Sequence, residues 1–531
     1  MKMKPTAPFA NRIYEKQINP NVKAYVIRSA FYLLLLLAVC VIPFALAQRT
    51  TTNRNRPATV ITVTNTNDSG PGSLRQALAD ANDGDTINFA VTGTIGLTSG
   101  ELLVAKNITI SGPGAENVAV DGNAKSRVFH IASGQTVTIS GLTITNGHAT
   151  DSGGGIYNDH AVLALNNCVV AGNSSAFNIG GGIQNDGTNI GHATLQIDNS
   201  LITNNSGGGI YNDAIQAGTA MLVITYSTLS GNGLGEAINN DGWSCIFCGN
   251  GTTSVQITNS SITGNGGAIY SDTGRQNCGG PCPVTISITN STISGNGGGV
   301  HNSTLSDTVV SNSTISDNGF GIYNDNSAIA TSVYNTTMSN NGVEIQNFNA
   351  SVIVAMSHTI FNVSPGGHSI LNDSGTVTSY GYNVSSDDGG GYLNGTGDQI
   401  NTNPLLGPLQ NNGGPTFTHQ LLPGSPAIDT GDPNFTAPPY YDQRGPVFWR
   451  MRNGLIDVGS FEVQVGTTPS PTPTPTASPT PTATATFTPT PTPTATATAT
   501  STPTATSTPR PTLTRRNTPS ARPRPTPPPH P

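Results

Sequence analysis

The sequence predicts an all-β protein, a right-handed parallel β-solenoid, and three observations carry that prediction. A short motif recurs through the middle of the chain, a second motif interleaves with it, and the segments between them alternate apolar and polar residues. The first motif is NSLITNN at Asn199, NSSITGN at Asn259, NSTISGN at Asn290, NSTISDN at Asn312 and NTTMSNN at Asn335, with variants NCVVAGN at Asn167 and YSTLSGN at Tyr226. Its aliphatic column is Val170, Ile202, Leu229, Ile262, Ile293, Ile315 and Met338, and each is followed three residues later by an asparagine, Asn173, Asn205, Asn232, Asn265, Asn296, Asn318 or Asn341. The second motif reads GGGIYND, GGGIQND, GEAINND, GGAIYSD, GGGVHNS or GFGIYND, with Ile156, Ile183, Ile210, Ile238, Ile269, Val300 and Ile322 as its aliphatic column.

Runs such as VQIT and TISIT between the motifs have the period of two expected of strands. The shortest repeats, 22 and 23 residues, hold three short strands and three turns, which is one coil of a parallel β-helix. Coils of such a stack lie about 4.8 Å apart. Equivalent asparagines therefore lie over one another, where their amides bond along the stack, and neighbouring glycines supply turns of positive φ.

The open end of a solenoid exposes strand edges that need covering. Ser73 and Gln76 have the spacing of a helix N-cap, and Leu74, Ala77, Leu78 and Ala81 form one apolar stripe. A short helix is expected there, capping the first coil, with the strands starting at Thr86.

The flanks differ in composition. Ser29 to Ala47 (SAFYLLLLLAVCVIPFALA) follows Lys23 and Arg28 and has the layout of a secretory signal cleaved after Ala47. Left uncleaved, the same segment is long enough to anchor the chain in a membrane. Residues 467–531 are almost entirely Pro, Thr, Ser and Ala, which predicts a disordered, extended stalk. The organisation is thus a signal peptide (1–47), a leader (48–59), an N-terminal cap with the first coils (60–130), solenoid repeats (131–400), a distinct C-terminal region (401–466) and the stalk. Localisation is expected to be secreted or at the cell surface.

Charge narrows the partners. Only 10% of residues are charged, and removing +5 at each end from the formal −7 leaves −17 for the body. From Val128 to Gln443 the sole Lys or Arg is Arg275. That composition excludes nucleic acid as a partner, because phosphate binding needs clustered cations. It also argues against polyanionic sugars on the solenoid.

Several residues invite chemistry. Asp159, Asp186, Asp213, Asp241, Asp272 and Asp325 fall three residues after the second aliphatic column. They either close local turns through their own backbone or bind Ca²⁺ with nearby oxygens. Tyr157, Tyr211, Tyr270 and Tyr323 recur one residue after that aliphatic and point outward by strand alternation, as platforms for sugar rings or as packing under loops. Cys245, Cys248, Cys278 and Cys282 sit in the same loop of successive coils. Export favours disulfides among them, with a four-thiolate zinc site the alternative; Cys168 is left over as a small packed residue. The terminal acids Asp429, Asp442, Asp457 and Glu462 gather around Arg444, Arg450 and Arg452, as a salt-bridged cap on the last coils or a docking surface for an envelope component.

ITVTNTNDSGPGSLRQALADANDGDTINF at Ile61, followed by these coils, resembles bacterial surface proteins of the pectin-lyase-like β-helix class. NPLLGPLQNNGGPTFTHQLLPGSPAIDTGDP from Asn403, DQRG at Asp442 and IDVGSFE at Ile456 are similar to the choice-of-anchor Q region. The resemblance implies a β-helix fold and a surface location, and no reaction. With no catalytic constellation apparent, the expectation is a noncatalytic protein engaged in adhesion or contact with an extracellular glycan. The alternatives are a polysaccharide lyase or glycoside hydrolase acting on a neutral or weakly charged polysaccharide, and a purely structural spacer.

Overall fold

The computed structural model describes residues 57–464 apart from 177–179, 234, 243–250, 273–283, 304, 326–328 and 453. The N-terminal apolar segment, the Pro/Thr-rich stretch and Cys245, Cys248, Cys278 and Cys282 lie outside the described residues. Among the described residues no helix is long and apolar enough to cross a membrane.

The expected solenoid is present. Three parallel sheets run along it, one strand of each per coil. The first has 13 strands, from Val60–Val63 to Thr376–Ser379. The second has 12, from Gly93–Gly96 to Val384–Ser385, and the third has 11, from Leu102–Val104 to His368–Asn372. Both aliphatic columns point inward. Val170, Ile202, Leu229, Ile262, Ile293, Ile315 and Met338 are fully buried, as are Ile156, Ile183 and their equivalents, in one continuous apolar core. Each such side chain contributes roughly 1.5–3 kcal/mol on burial.

The asparagine column behaves as its period implies. Asn173 Nδ2 donates to Asn205 Oδ1 at 3.0 Å, and the pattern repeats through Asn232, Asn265, Asn296 and Asn318 to Asn341 at 2.9–3.1 Å. Each Oδ1 also accepts the backbone N–H of the preceding asparagine, so one oxygen serves two donors. A second amide ladder, in the other motif, links Asn158, Asn185, Asn212 and Asn240 at 2.7–2.8 Å. The left-handed residue between the first-sheet and second-sheet strands is most often asparagine: Asn167, Asn199, Asn259, Asn290, Asn312 and Asn335 all have φ between 45° and 53°, which asparagine tolerates better than other non-glycine residues.

Helix α1 (Leu74–Asp80) lies where expected. Ser73 Oγ accepts the Gln76 N–H at 3.1 Å, and Leu74, Ala77 and Leu78 are buried. The start of the strands differs: Val60–Val63, before the helix, already pairs in register with Thr86–Phe89. The helix is therefore an insertion within the first coil, packed on its open end.

The C-terminal region differs more. It contains a hairpin, Leu406–Gln410 with Thr418–Leu421, and lies along the outer face of the second sheet. Gln443 binds Thr292 Oγ1 and Thr314 Oγ1 at 2.9 and 2.6 Å, His419 Nε2 meets Ser316 Oγ at 2.9 Å, and Ser460 N–H donates to Thr337 Oγ1 at 3.0 Å. The expected cap on the last coils is thus a clasp on the solenoid flank. Its ionic centre is one pair, Arg444 with Asp442 at 2.6 Å. Arg450 is buried and donates to Asn335 Oδ1 and to backbone carbonyls, and Arg452 meets Gln464.

Candidate functional site

Outward positions of the third sheet form two columns. Parallel register places Leu103, His130, Tyr157, Gln184, Tyr211, Asn239, Tyr270, His301, Tyr323 and Gln346 one above the other. Two residues on, Asp159, Asp186, Asp213, Asp241 and Asp272 stack likewise. The four tyrosines predicted from the sequence share a column but are interrupted by imidazole and amide side chains.

The tyrosyl hydroxyls relieve the carboxylate stack. Tyr157 donates to Asp186 Oδ2 at 2.5 Å, Tyr211 to Asp241 Oδ2 at 3.1 Å and Tyr270 to Asp272 Oδ2 at 3.2 Å. Burial, then these acid neighbours, push the Tyr157 and Tyr211 hydroxyls above their usual range. Asp186 and Asp213 each accept the amide N–H two residues on, from Thr188 and Ile215, so both also close local turns. Burial, aided by the charges of Asp241 and Asp186, raises the Asp213 carboxyl to about 7. Tyr211 is only 9% exposed, whereas the Tyr270–His301–Tyr323 rings follow one another at 4.9 and 4.7 Å between centroids. Asp325 Oδ2 meets His301 Nε2 at 3.0 Å.

At the N-terminal end of this face the two columns converge with groups from outside the repeats. Glu101 precedes the third sheet's first strand and meets His130 Nδ1 at 3.0 Å. That bond is the main reason the His130 imidazole titrates above, and Glu101 below, its usual range. His130 Nε2 is buried, has no hydrogen-bond partner and faces Asp159 Oδ2 at 3.7 Å. The chain turns at His160 with φ 49°, which brings its Nδ1 onto Asp159 Oδ1, while Nε2 meets the Thr188 carbonyl at 2.8 Å. Burial opposes charge on His160, but the Asp159 bond and the Thr188 carbonyl leave its titration raised. Only glycine fits at 191, where a Cβ would lie 1.7 Å from His160 Cδ2.

Arg127 closes the cluster. Its guanidinium lies 4.8 Å from the Tyr157 ring centroid and donates to Glu101 Oε2, Asp151 Oδ1 and the carbonyls of Gly153 and Ser152, at 2.6–2.9 Å. Its charge is met by two carboxylates, so the face remains acidic. Sequence reasoning missed Arg127 and Glu101 because neither belongs to a repeat, and Arg127 lies one residue before the stretch almost free of cations. His130 was passed over because its alignment with Tyr157 shows only once strand register is known.

Other features hold less chemistry. A cleft between the clasp and the solenoid, lined by Tyr226, Tyr440, Tyr441, Asn290 and several prolines, has Arg444 as its one charged lining residue. Cys168 is buried and packed, as expected.

No family model and no curated protein sequence matches the chain. Solved structures do. The pectate lyase Pel9A is 15% identical with a TM-score of 0.47, over 77% of this chain and 97% of its own. An alginate lyase from Paenibacillus sp. str. FPU-7 is 16% identical with a TM-score of 0.34, over 59% and 99%. The A-module of the Azotobacter vinelandii mannuronan C-5 epimerase AlgE6 is 14% identical with a TM-score of 0.36, over 60% and 97%. All three act on carbohydrate. At these identities the likeness is one of fold. The expectation of a noncatalytic adhesive protein is nonetheless corrected: the similar structures are two lyases and an epimerase, and a cluster of acidic and imidazole side chains that sequence reasoning had not assembled stands on the third sheet.

Proposed function

We propose that the chain is an exported carbohydrate-active enzyme that cleaves a neutral or weakly charged polysaccharide. The observation that carries this reading is the convergence of His130, Tyr157, Asp159, His160 and Asp186 on one outward face. Hydrolysis suits these groups best. As the glycosidic bond breaks, the leaving oxygen takes a proton from the His130 imidazolium and Asp159, the more exposed carboxylate, stabilises the positive charge left on the anomeric carbon; water then adds there from the vacated side and returns a proton to His130. A uronate chain fits less well, because Arg127 is already engaged by Glu101 and Asp151. The aromatic strip of Tyr270, His301 and Tyr323 on the same face supports binding of a sugar chain beyond the cleavage point. The export signal read in residues 1–47, and the choice-of-anchor Q resemblance of 401–466, support action outside the cell, at its surface.

The test is product analysis of a panel of neutral and uronate polysaccharides. New reducing ends on a neutral glycan are expected, and Asp159→Asn should lower their rate at least ~100-fold. Unsaturated products from uronates, or no products from any glycan, would overturn the reading. A pH profile adds a second check. His130 acts as an acid only while protonated, and its titration is raised above 6.5, so the alkaline limb is expected above that value. Glu101→Gln removes the partner that raises it and should move the limb downward; an unmoved limb removes His130 from the acid role.

A further inference from the structure

The imidazoles beside Asp159 share a feature that proton transfer alone does not require. Each has one ring nitrogen committed elsewhere: His130 Nδ1 to the Glu101 carboxylate at 3.0 Å, and His160 Nε2 to the Thr188 carbonyl at 2.8 Å. Both partners are acceptors, so in a neutral ring these nitrogens carry the proton. The remaining nitrogens, His130 Nε2 and His160 Nδ1, then present lone pairs toward oxygens of the same carboxylate. Lone pairs facing a carboxylate repel unless protons or a cation stand between. Histidines that ligate metals are oriented in this way, with the far N–H donated to a carboxylate or a backbone carbonyl. Asp159, His160 and Asp186 offer ligand atoms that all lie within 4.8 Å of one another. His130 Nε2, buried and unpartnered, stands 3.7 Å from the second Asp159 oxygen.

We propose that Asp159, His160 and Asp186 form a site for a divalent transition metal, with zinc(II) the closest chemical match. One imidazole nitrogen and two carboxylates suit zinc, which takes four nitrogen, oxygen or sulfur ligands and leaves its fourth place to water. Calcium prefers six to eight oxygens. The ligands come from two successive coils, two of them adjacent in sequence. The Thr188 carbonyl, on His160, and the Tyr157 hydroxyl, on Asp186, supply the outer bonds. Zinc held by Asp159 takes up the carboxylate that glycan cleavage uses, so zinc is expected to inhibit product release, and metal uptake and product release are measured separately.

The full chain, stripped with chelator and desalted, would be titrated with zinc, manganese and calcium salts, following bound metal by elemental analysis and the melting temperature. One zinc per chain at this site and a raised melting temperature are expected, with weaker binding of calcium. His160→Gln and Asp159→Asn should each weaken zinc binding at least ~10-fold. The loop cysteines are the competing zinc ligands, so Cys245→Ser with Cys278→Ser serves as the control. Zinc that survives His160→Gln and Asp159→Asn but is lost with the cysteines overturns the proposal. So does a preference for calcium, or no uptake by a chain whose melting temperature matches that of the untreated protein.

Discussion

Glu344→Gln progressively gains thermal stability over the parent protein as pH rises from 5 to 9. Glu344 is wholly buried, at the C-terminal foot of the first asparagine ladder. Its two carboxyl oxygens take the last two donors, the backbone N–H of Asn341 at 3.3 Å and the Asn341 amide in a closer contact. Burial raises its titration from 4.5 to about 8, against those hydrogen bonds, which favour the charged form. The sign follows from linkage. The folded protein holds the proton more tightly, so stability is complete below the unfolded value near 4.5 and is lost as pH rises through about 8. A shift of that size corresponds to at most roughly 5 kcal/mol. Glutamine stays neutral throughout, and one amide oxygen can accept both donors, as each ladder asparagine already does. Asp213 and Glu462, raised mainly by burial to about 7 and about 9, slope the same way in both proteins, so the difference isolates Glu344. Parallel melting curves across this range would show that position 344 stays charged and is satisfied by its neighbours.

Arg444→Ala costs about 3–5 kcal/mol in the C-terminal clasp, the range for breaking one partner out of a buried ion pair. Asp442 is fully buried, and the guanidinium over it is sandwiched between Phe448 and Phe461, 3.9 and 3.7 Å from their ring centroids. The same guanidinium donates to the carbonyls of Glu462 and Asn412 at 2.6 and 3.3 Å, tying the segment around Glu462 to the loop of the hairpin. Its removal frees three backbone or carboxylate partners at once and opens the face between two aromatic rings. Limited proteolysis should cut within 401–464 in the variant while the solenoid repeats stay protected. Native resistance to protease together with loss of surface retention would instead mark Arg444 as a docking residue.

The repeating parts of the molecule were legible because they repeat. Ile202 and Asn205 declared themselves through their equivalents in later coils, and the stacked amides follow from strand spacing alone. The second ladder, through Asn158 and Asn185, has the same regularity and was overlooked because the aspartate beside it drew the chemical argument. The clasp was misjudged for another reason. Thr292, Thr314 and Thr337 look like solvent-facing strand positions, and nothing near them in sequence announces that Gln443 or Ser460, more than a hundred residues on, will cover them. The candidate site needed two facts that sequence does not carry. One is the register that sets His130 beside Tyr157. The other is the path of the chain before the first strand of the third sheet, which delivers Glu101 to His130.

The first asparagine ladder has a direction. Each side-chain amide gives one hydrogen to the next group of the ladder on its C-terminal side and the other to a backbone carbonyl of the N-terminal coil, while its oxygen receives from the N-terminal side, beginning where Gly147 N–H reaches Asn173 Oδ1 and ending on Glu344. Every interior rung is chemically identical, so only the two terminal groups are specialised. A gene segment encoding one whole coil can therefore be duplicated or lost between them without leaving a ladder donor or acceptor unmet, provided that the coils bearing Thr292, Thr314 and Thr337, which the clasp grips, are kept. A fragment of a coil cannot. Length in this molecule is quantised, and natural variants of the chain should differ along the ladder by whole rungs while keeping both ends.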